Sequence, residues 1–260
     1  MCNIIKADLY RIFRGLGVYV ALTIFIVGIV MQTSTKGDFS MSLLGGGAYI
    51  ESMTGKSAPL QLASYTVGLI YFLLAFIVFI ASADFSSGAV KNLVSSGVSR
   101  NKYYLSKLIL VAGASVMLIL LNIIIMMITA SVYQNAGFGG SIDAEYVKLL
   151  ATMYLPQLYL LLAFGCVGLF LTFAFKRTAI LNTVYIAFTI VPMMALSLLS
   201  EYPDRNLIDY DLAVNMQYWG FYGHEMLTQP SLPRTLILGG VCIIASVTGG
   251  IMLFRKAEIK

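Results

Sequence analysis

The chain has 260 residues, of which 59% are hydrophobic and only 11% charged, against about 25% charged in an ordinary soluble domain. Its 17 basic and 12 acidic side chains are too few to clothe a soluble fold of this size, and its apolar content excludes disorder. Three cysteines exclude a disulfide scaffold, which leaves a polytopic membrane protein.

The first element is predicted over residues 1–15. Ile4, Ile5, Leu9, Ile12 and Phe13 recur at helical spacing, with Lys6, Arg11 and Arg14 mostly off that stripe. This pattern predicts a basic amphipathic helix lying in the membrane interface. Six uncharged runs of 20 residues or more follow. Each is long enough to cross a hydrocarbon core of about 30 Å as a helix, and helix satisfies its own backbone groups in lipid. The runs predict transmembrane helices at 16–34, 61–83, 108–133, 151–174, 178–199 and 235–254. No A-x-A-like site follows the first, so it is expected to stay uncleaved. The expected fold is all-α, one transmembrane domain of six helices.

Between these helices the loops differ in kind. The segment near 35–60 is glycine-rich and is expected to be loosely ordered. The loop 84–107 is the longest on its side of the membrane. Phe85, Ala89, Val90, Leu93 and Val94 predict a short amphipathic helix, Ser95-Ser96-Gly97 breaks it, and Ser99 is placed to cap the helix that follows. Lys176-Arg177 is the other loop on that side. The loop 200–234 holds the uncharged stretch Leu212–His224, too short to span but suited to an interfacial or re-entrant segment.

Charge fixes the orientation. The segments 1–14, 84–107, 176–177 and 255–260 hold twelve basic and three acidic residues, and the opposite loops hold five and nine. Basic loops remain cytoplasmic, so both termini are expected there. The net charge of +5 therefore reflects topology and contact with membrane lipid, with no nucleic-acid partner.

Few constellations carry chemistry. Gly55-Lys56-Ser57 ends like a phosphate loop, but Ile50 stands where the first glycine is required. His224 is the lone histidine, and Cys2, Cys166 and Cys242 are far apart, so metal-ligand spacing is missing. The predicted helices contain no charged residue, so neither acid–base catalysis nor ion-coupled transport has a candidate there. Asn122, Gln157 and Asn182 are the polar exceptions, read as interhelical hydrogen bonds, with Asn122 and Asn182 also candidates for a substrate path. Gly165-x-x-Gly168 and Gly249-Gly250 read as close packing. Asp84 either caps the helix after it or pairs with a base, on a partner or at Arg11 or Arg14.

Residues 84–107 carry the most specific pattern: Asp84, Gly88, Lys91, Leu93, then Val98-Ser99-Arg100, Tyr103, Tyr104, Ser106 and Lys107. With six helices and a basic amphipathic start, this resembles the ABC-2-type permease family, the membrane half of ATP-binding-cassette exporters. Asp84 stands where Glu is more usual, and Gly97 where Pro is common. The resemblance implies that Asp84, Phe85, Gly88, Val90, Lys91, Leu93, Val94, Ser99 and Arg100 form the coupling element to a cytosolic ATPase. It also implies an interfacial helix carrying Ile5, Leu9, Arg11, Phe13 and Arg14. Two ATPase subunits and a second permease copy or paralogue would complete the complex, with ATP and Mg held by the ATPase and no cofactor on this chain. The expected function is export of an apolar or amphipathic substrate, a peptide such as a bacteriocin or toxin, or a drug, across the bacterial cytoplasmic membrane. The chain itself would not be an enzyme. The competing expectations are an intramembrane lipid-processing enzyme and a non-transporting membrane scaffold.

Overall fold

The structure is a computed structural model and describes residues 2–36, 53–90, 95–133, 137–199, 207–222 and 230–256. The described residues are helical, without strand. Six helices are long and apolar enough to cross a membrane. In chain order the elements are α1 (Cys2–Arg14), α2 (Leu16–Ser34), α3 (Ala63–Phe85), α4 (Arg100–Tyr133), α5 (Ala144–Phe175), α6 (Thr178–Leu199), α7 (Leu212–Gly220) and α8 (Leu232–Lys256). The spanning helices are α2 to α6 and α8.

Helix α5 is the hub, packed against α4, α6, α7 and α8. Small residues let these helices close on one another. A side chain at Gly165 would strike Val111 of α4, and one at Gly168 would strike Ile77 of α3. Gly249 faces the Phe170 ring and Gly250 the Tyr104 hydroxyl, so α8 lies close along α5 and α4. Such small-residue contacts replace the hydrophobic drive that is absent between helices in lipid. Helices α3 and α5 are mostly buried, whereas α2, α6 and α8 present most of their apolar surface outward, as lipid-facing helices do.

Three helix starts precede their charge-free runs. Helix α4 starts at Arg100, α5 at Ala144 and α8 at Leu232, each earlier than the run that signals it. Charges end an apolar run but not a helix. Asp143 caps α5 by accepting from the Tyr146 N–H at 3.3 Å, and bonds from its own backbone N–H and from that of Tyr146 hold its carboxyl below the usual range. With 34 residues, α4 is about 51 Å long, which exceeds the hydrocarbon core.

Helix α3 is irregular at both ends. It opens with a 3₁₀ stretch, Ala63–Gly68, and passes through a π-helical turn, Val78–Ser82. The 3₁₀ stretch abuts α7, whose nine residues are all buried. Asp211 caps α7, accepting from Ala213 N and Val214 N at 2.9 Å each. A side chain at Gly220 would run into the Ser64 and Ala63 backbone. Tyr218 and Trp219 are therefore buried inside the protein. The end of the 35–60 loop is tied down, not loose: Gly55 N–H bonds Gly137 O at 3.2 Å and Lys56 N–H bonds Phe138 O at 2.8 Å. Residues 37–52, including Gly45-Gly46-Gly47, lie outside the described residues.

Candidate functional site

Three elements converge at the end of the bundle where α8 ends: α1, the end of α3 and the start of α4. Helical spacing puts Asp8 on the inward face of α1 with Ile5 and Ile12, three and four residues away. The π turn holds one more residue per backbone ring than an α turn. Such turns recur at functional sites, and Asp84 stands two residues beyond this one. Tyr103 and Lys107 are four apart and so share one face of α4.

These residues form one buried ionic cluster. The Lys107 ammonium, 0% exposed, lies 2.6 Å from an Asp84 oxygen and 2.8 Å from Asp8. Tyr103 donates its hydroxyl to Asp84 at 2.6 Å, and Arg11 donates to the other Asp84 oxygen. Arg11 also stands 3.5 Å from Asp8. Lys107 lies 5.0 Å above the Tyr103 ring, a cation–π contact. Two carboxylates face two cations, so the cluster is formally neutral, the condition under which buried charge is tolerated. Below it Tyr103, Tyr104, Phe85 and Phe254 all pack on Phe173. The network joins α1, α3 and α4 by ions, and the ring stack joins them to α5 and α8.

The cluster corrects one sequence expectation and decides another between the alternatives offered. The spanning helices do contain charge, because α3 reaches Asp84 and α4 begins before Lys107. Of the two bases offered to Asp84, Arg11 makes the pair, whereas Arg14 bonds the Tyr10 hydroxyl at 2.9 Å on the exposed side of α1. Asp8, Tyr103 and Lys107 were not singled out as site residues. The signal for Asp8 was an acid lying on an otherwise apolar helical stripe.

The other predicted residues scatter around this center. Phe85 is half-buried, Val90 is buried, and Gly88 has φ 70°, a left-handed turn suited to glycine. Lys91, Leu93 and Val94 lie outside the described residues, as does His224. Ser99 is exposed and its carbonyl accepts from Tyr103 N–H at 3.1 Å at the start of α4. Arg100 donates to the carbonyls of Phe254 and Arg255 at 2.9 and 2.7 Å. It thereby satisfies the C-terminal end of α8, where cations are favourable. On α1, Ile5 is half-buried while Leu9 and Phe13 are exposed apolar residues.

The intramembrane amides divide. Gln157 donates to Ala63 O of α3 at 3.0 Å, an interhelical bond. Asn122 instead reaches only the Met126 thioether of its own helix, at 3.8 Å. Asn182 Oδ1 is buried without a partner, and it does not join Asn122 in one cavity.

A second polar group closes the opposite end. Arg234 of α8 pairs with Asp209 at 2.7 Å, and Trp219 donates to Thr235 at 2.9 Å. Burial pushes the Asp211 carboxyl up, and burial followed by the nearby Asp209 carboxylate pushes Tyr218 up to about 12. Lys56 lies 5.2 Å above the Tyr146 ring and 3.4 Å from Asp143. A side chain at Gly55 would strike Ser131 and the Met127 carbonyl. The Gly-Lys-Ser tripeptide is thus a packing element. Among the described residues no group of three His, Cys, Asp or Glu residues is placed to hold a metal. No family model matches the chain, and no curated protein matches it either.

Proposed function

We propose that this chain is the membrane subunit of an ATP-binding-cassette exporter, moving an apolar or amphipathic substrate with ATP hydrolysed by a separate cytosolic ATPase. The observation that carries this reading is the position of Asp84. It is the last charged residue of α3 before the loop, and it is bonded to α1 through Arg11 and to α4 through Lys107 and Tyr103. A force applied to the loop after Asp84 therefore reaches three elements at once, through the buried Lys107 pairs and the part-exposed Arg11. Rigid packed networks transmit displacement because they have few intermediate arrangements. The 84–107 pattern and the basic amphipathic α1 support the same reading. Two such chains, or one with a paralogue, would work with two ATPases in the bacterial cytoplasmic membrane. The basic end would face the cytosol.

The test is co-expression with the separately encoded ATP-binding-cassette ATPases of the source genome, followed by purification through a tag on this chain. One ATPase is expected to co-purify, and its ATP turnover in the reconstituted complex is expected to rise with substrate. Export by liposomes containing this chain alone, without ATPase or ATP, would overturn the proposal.

A further inference from the structure

Away from the basic end, α2, the first turns of α3 and Asn122 of α4 line a cavity of about 600 Å³ that opens toward the outward face of α2. Its walls are apolar, chiefly Phe25, Ile29, Leu69 and Phe72, and no charged side chain lines it. Two amides face it from different helices. Gln32 brings a buried Nε2 that has no hydrogen-bond partner. Asn122 is 2% exposed, and its amide has only the weak thioether contact already described. An amide offers two donors and two acceptor positions. Leaving these unmet in an apolar surrounding is costly, so both amides are better satisfied when something occupies the space between them. The volume lies within the range of sites that hold drug-sized molecules, about 300–1,000 Å³, apolar with a few placed polar groups.

We infer that this cavity is a binding site for an uncharged amphipathic molecule, whose apolar body fills the space between α2 and α3 and whose amide or hydroxyl group bonds Gln32 and Asn122. Charged ligands are excluded, because a buried ion here would meet no opposite charge. As a ligand site the inference stands on the cavity; as the substrate's site it rests on the exporter reading. Gly28 makes the site testable. A Cβ there comes no closer than 3.9 Å to the Phe72 ring, so the leucine of Gly28→Leu starts unhindered toward the cavity, and it favours the helix.

The experiment uses the full chain in lipid nanodiscs and a diazirine-bearing, uncharged N-acyl dipeptide amide as photoprobe. The comparators are the same molecule with a free ammonium group and a diazirine phosphatidylcholine. The neutral probe is expected to label residues within 23–32 and 65–72, read by peptide mass spectrometry. Gly28→Leu is expected to abolish this labelling, and Asn122→Leu to weaken binding about tenfold, the upper range for losing a neutral hydrogen bond. Labelling spread over the lipid-facing surfaces of α6 and α8 and unchanged by both substitutions would overturn the inference. So would equal labelling by the ammonium probe, or displacement of the neutral probe by the phosphatidylcholine. Labelling without capture of an ATPase leaves the site standing and removes the exporter reading. Capture of an ATPase without site labelling removes this inference alone.

Discussion

Lys107 is a lysine ammonium with no exposed surface, set between two carboxylates that come from elements 99 and 23 positions away in the chain. Removing it leaves Asp84 and Asp8 sharing the single Arg11, whose side chain is 41% exposed and so screened by solvent. Breaking a buried pair from one side costs about 3–5 kcal/mol, because the remaining charge is buried unpaired. Lys107→Met is therefore expected to lower the thermal unfolding midpoint of the purified chain steeply. Adding Asp84→Asn to Lys107→Met restores neutrality and should recover much of the loss, a coupling that double-mutant comparison isolates. A double variant less stable than Lys107→Met would show that the pair does not act as a unit. The sequence offered Arg11 and Arg14 equally to Asp84. Only the facing of α1 decides between them, since Arg11 turns toward the bundle and Arg14 toward Tyr10. Lys107 entered only as a member of the 84–107 pattern, just before an apolar run, because distance along the chain hides what is buried beside it.

At the scale of elements, the spanning helices were legible because 20 uncharged residues have one good solution in lipid. Their starts were not, since α4 continues through Arg100 to Lys107 by pairing its charges or turning them outward. Helix α7 was legible as a non-spanning apolar segment but not as a buried one. Its seat depends on Gly220, and glycine in sequence does not reveal which backbone it will touch. A methyl group at Gly220 would meet the Ser64 and Ala63 backbone, which cannot yield as a side-chain tip can. Gly220→Ala is therefore expected to loosen α7 from α3. Trp219 is the chain's one tryptophan, is buried, and donates to Thr235, so its fluorescence reports the seat directly. The emission should shift to the red in Gly220→Ala and gain access to aqueous quencher. Gly113→Ala is the control, since a side chain at Gly113 meets nothing within 4 Å. Equal spectra for both variants would mean that α7 does not depend on this contact.

For the whole molecule the governing asymmetry is charge. Segments at the basic end carry twelve basic residues, and those at the other end carry five. The geometry agrees with that division to the extent that α1 and the end of α8 meet at one end, through Tyr103, Phe254 and Lys107. Neither packing nor helix length says which end faces the cytosol. That direction comes from the retention of Lys and Arg on the cytosolic side during insertion. Two exposed serines decide it, Ser96 at the basic end and Ser141 at the other. Each is replaced by Cys in a chain whose Cys2 is Ser; Cys166 is buried and Cys242 half-buried in spanning helices. A membrane-impermeant maleimide applied to intact cells, with the outer membrane opened where one exists, is expected to label Ser141→Cys at once. Ser96→Cys should react only after the inner membrane is permeabilised. The reverse pattern would invert the topology and expose the Asp84 loop outside the cell. An ATP-driven partner could not then reach that loop, so this measurement also bears on the exporter reading.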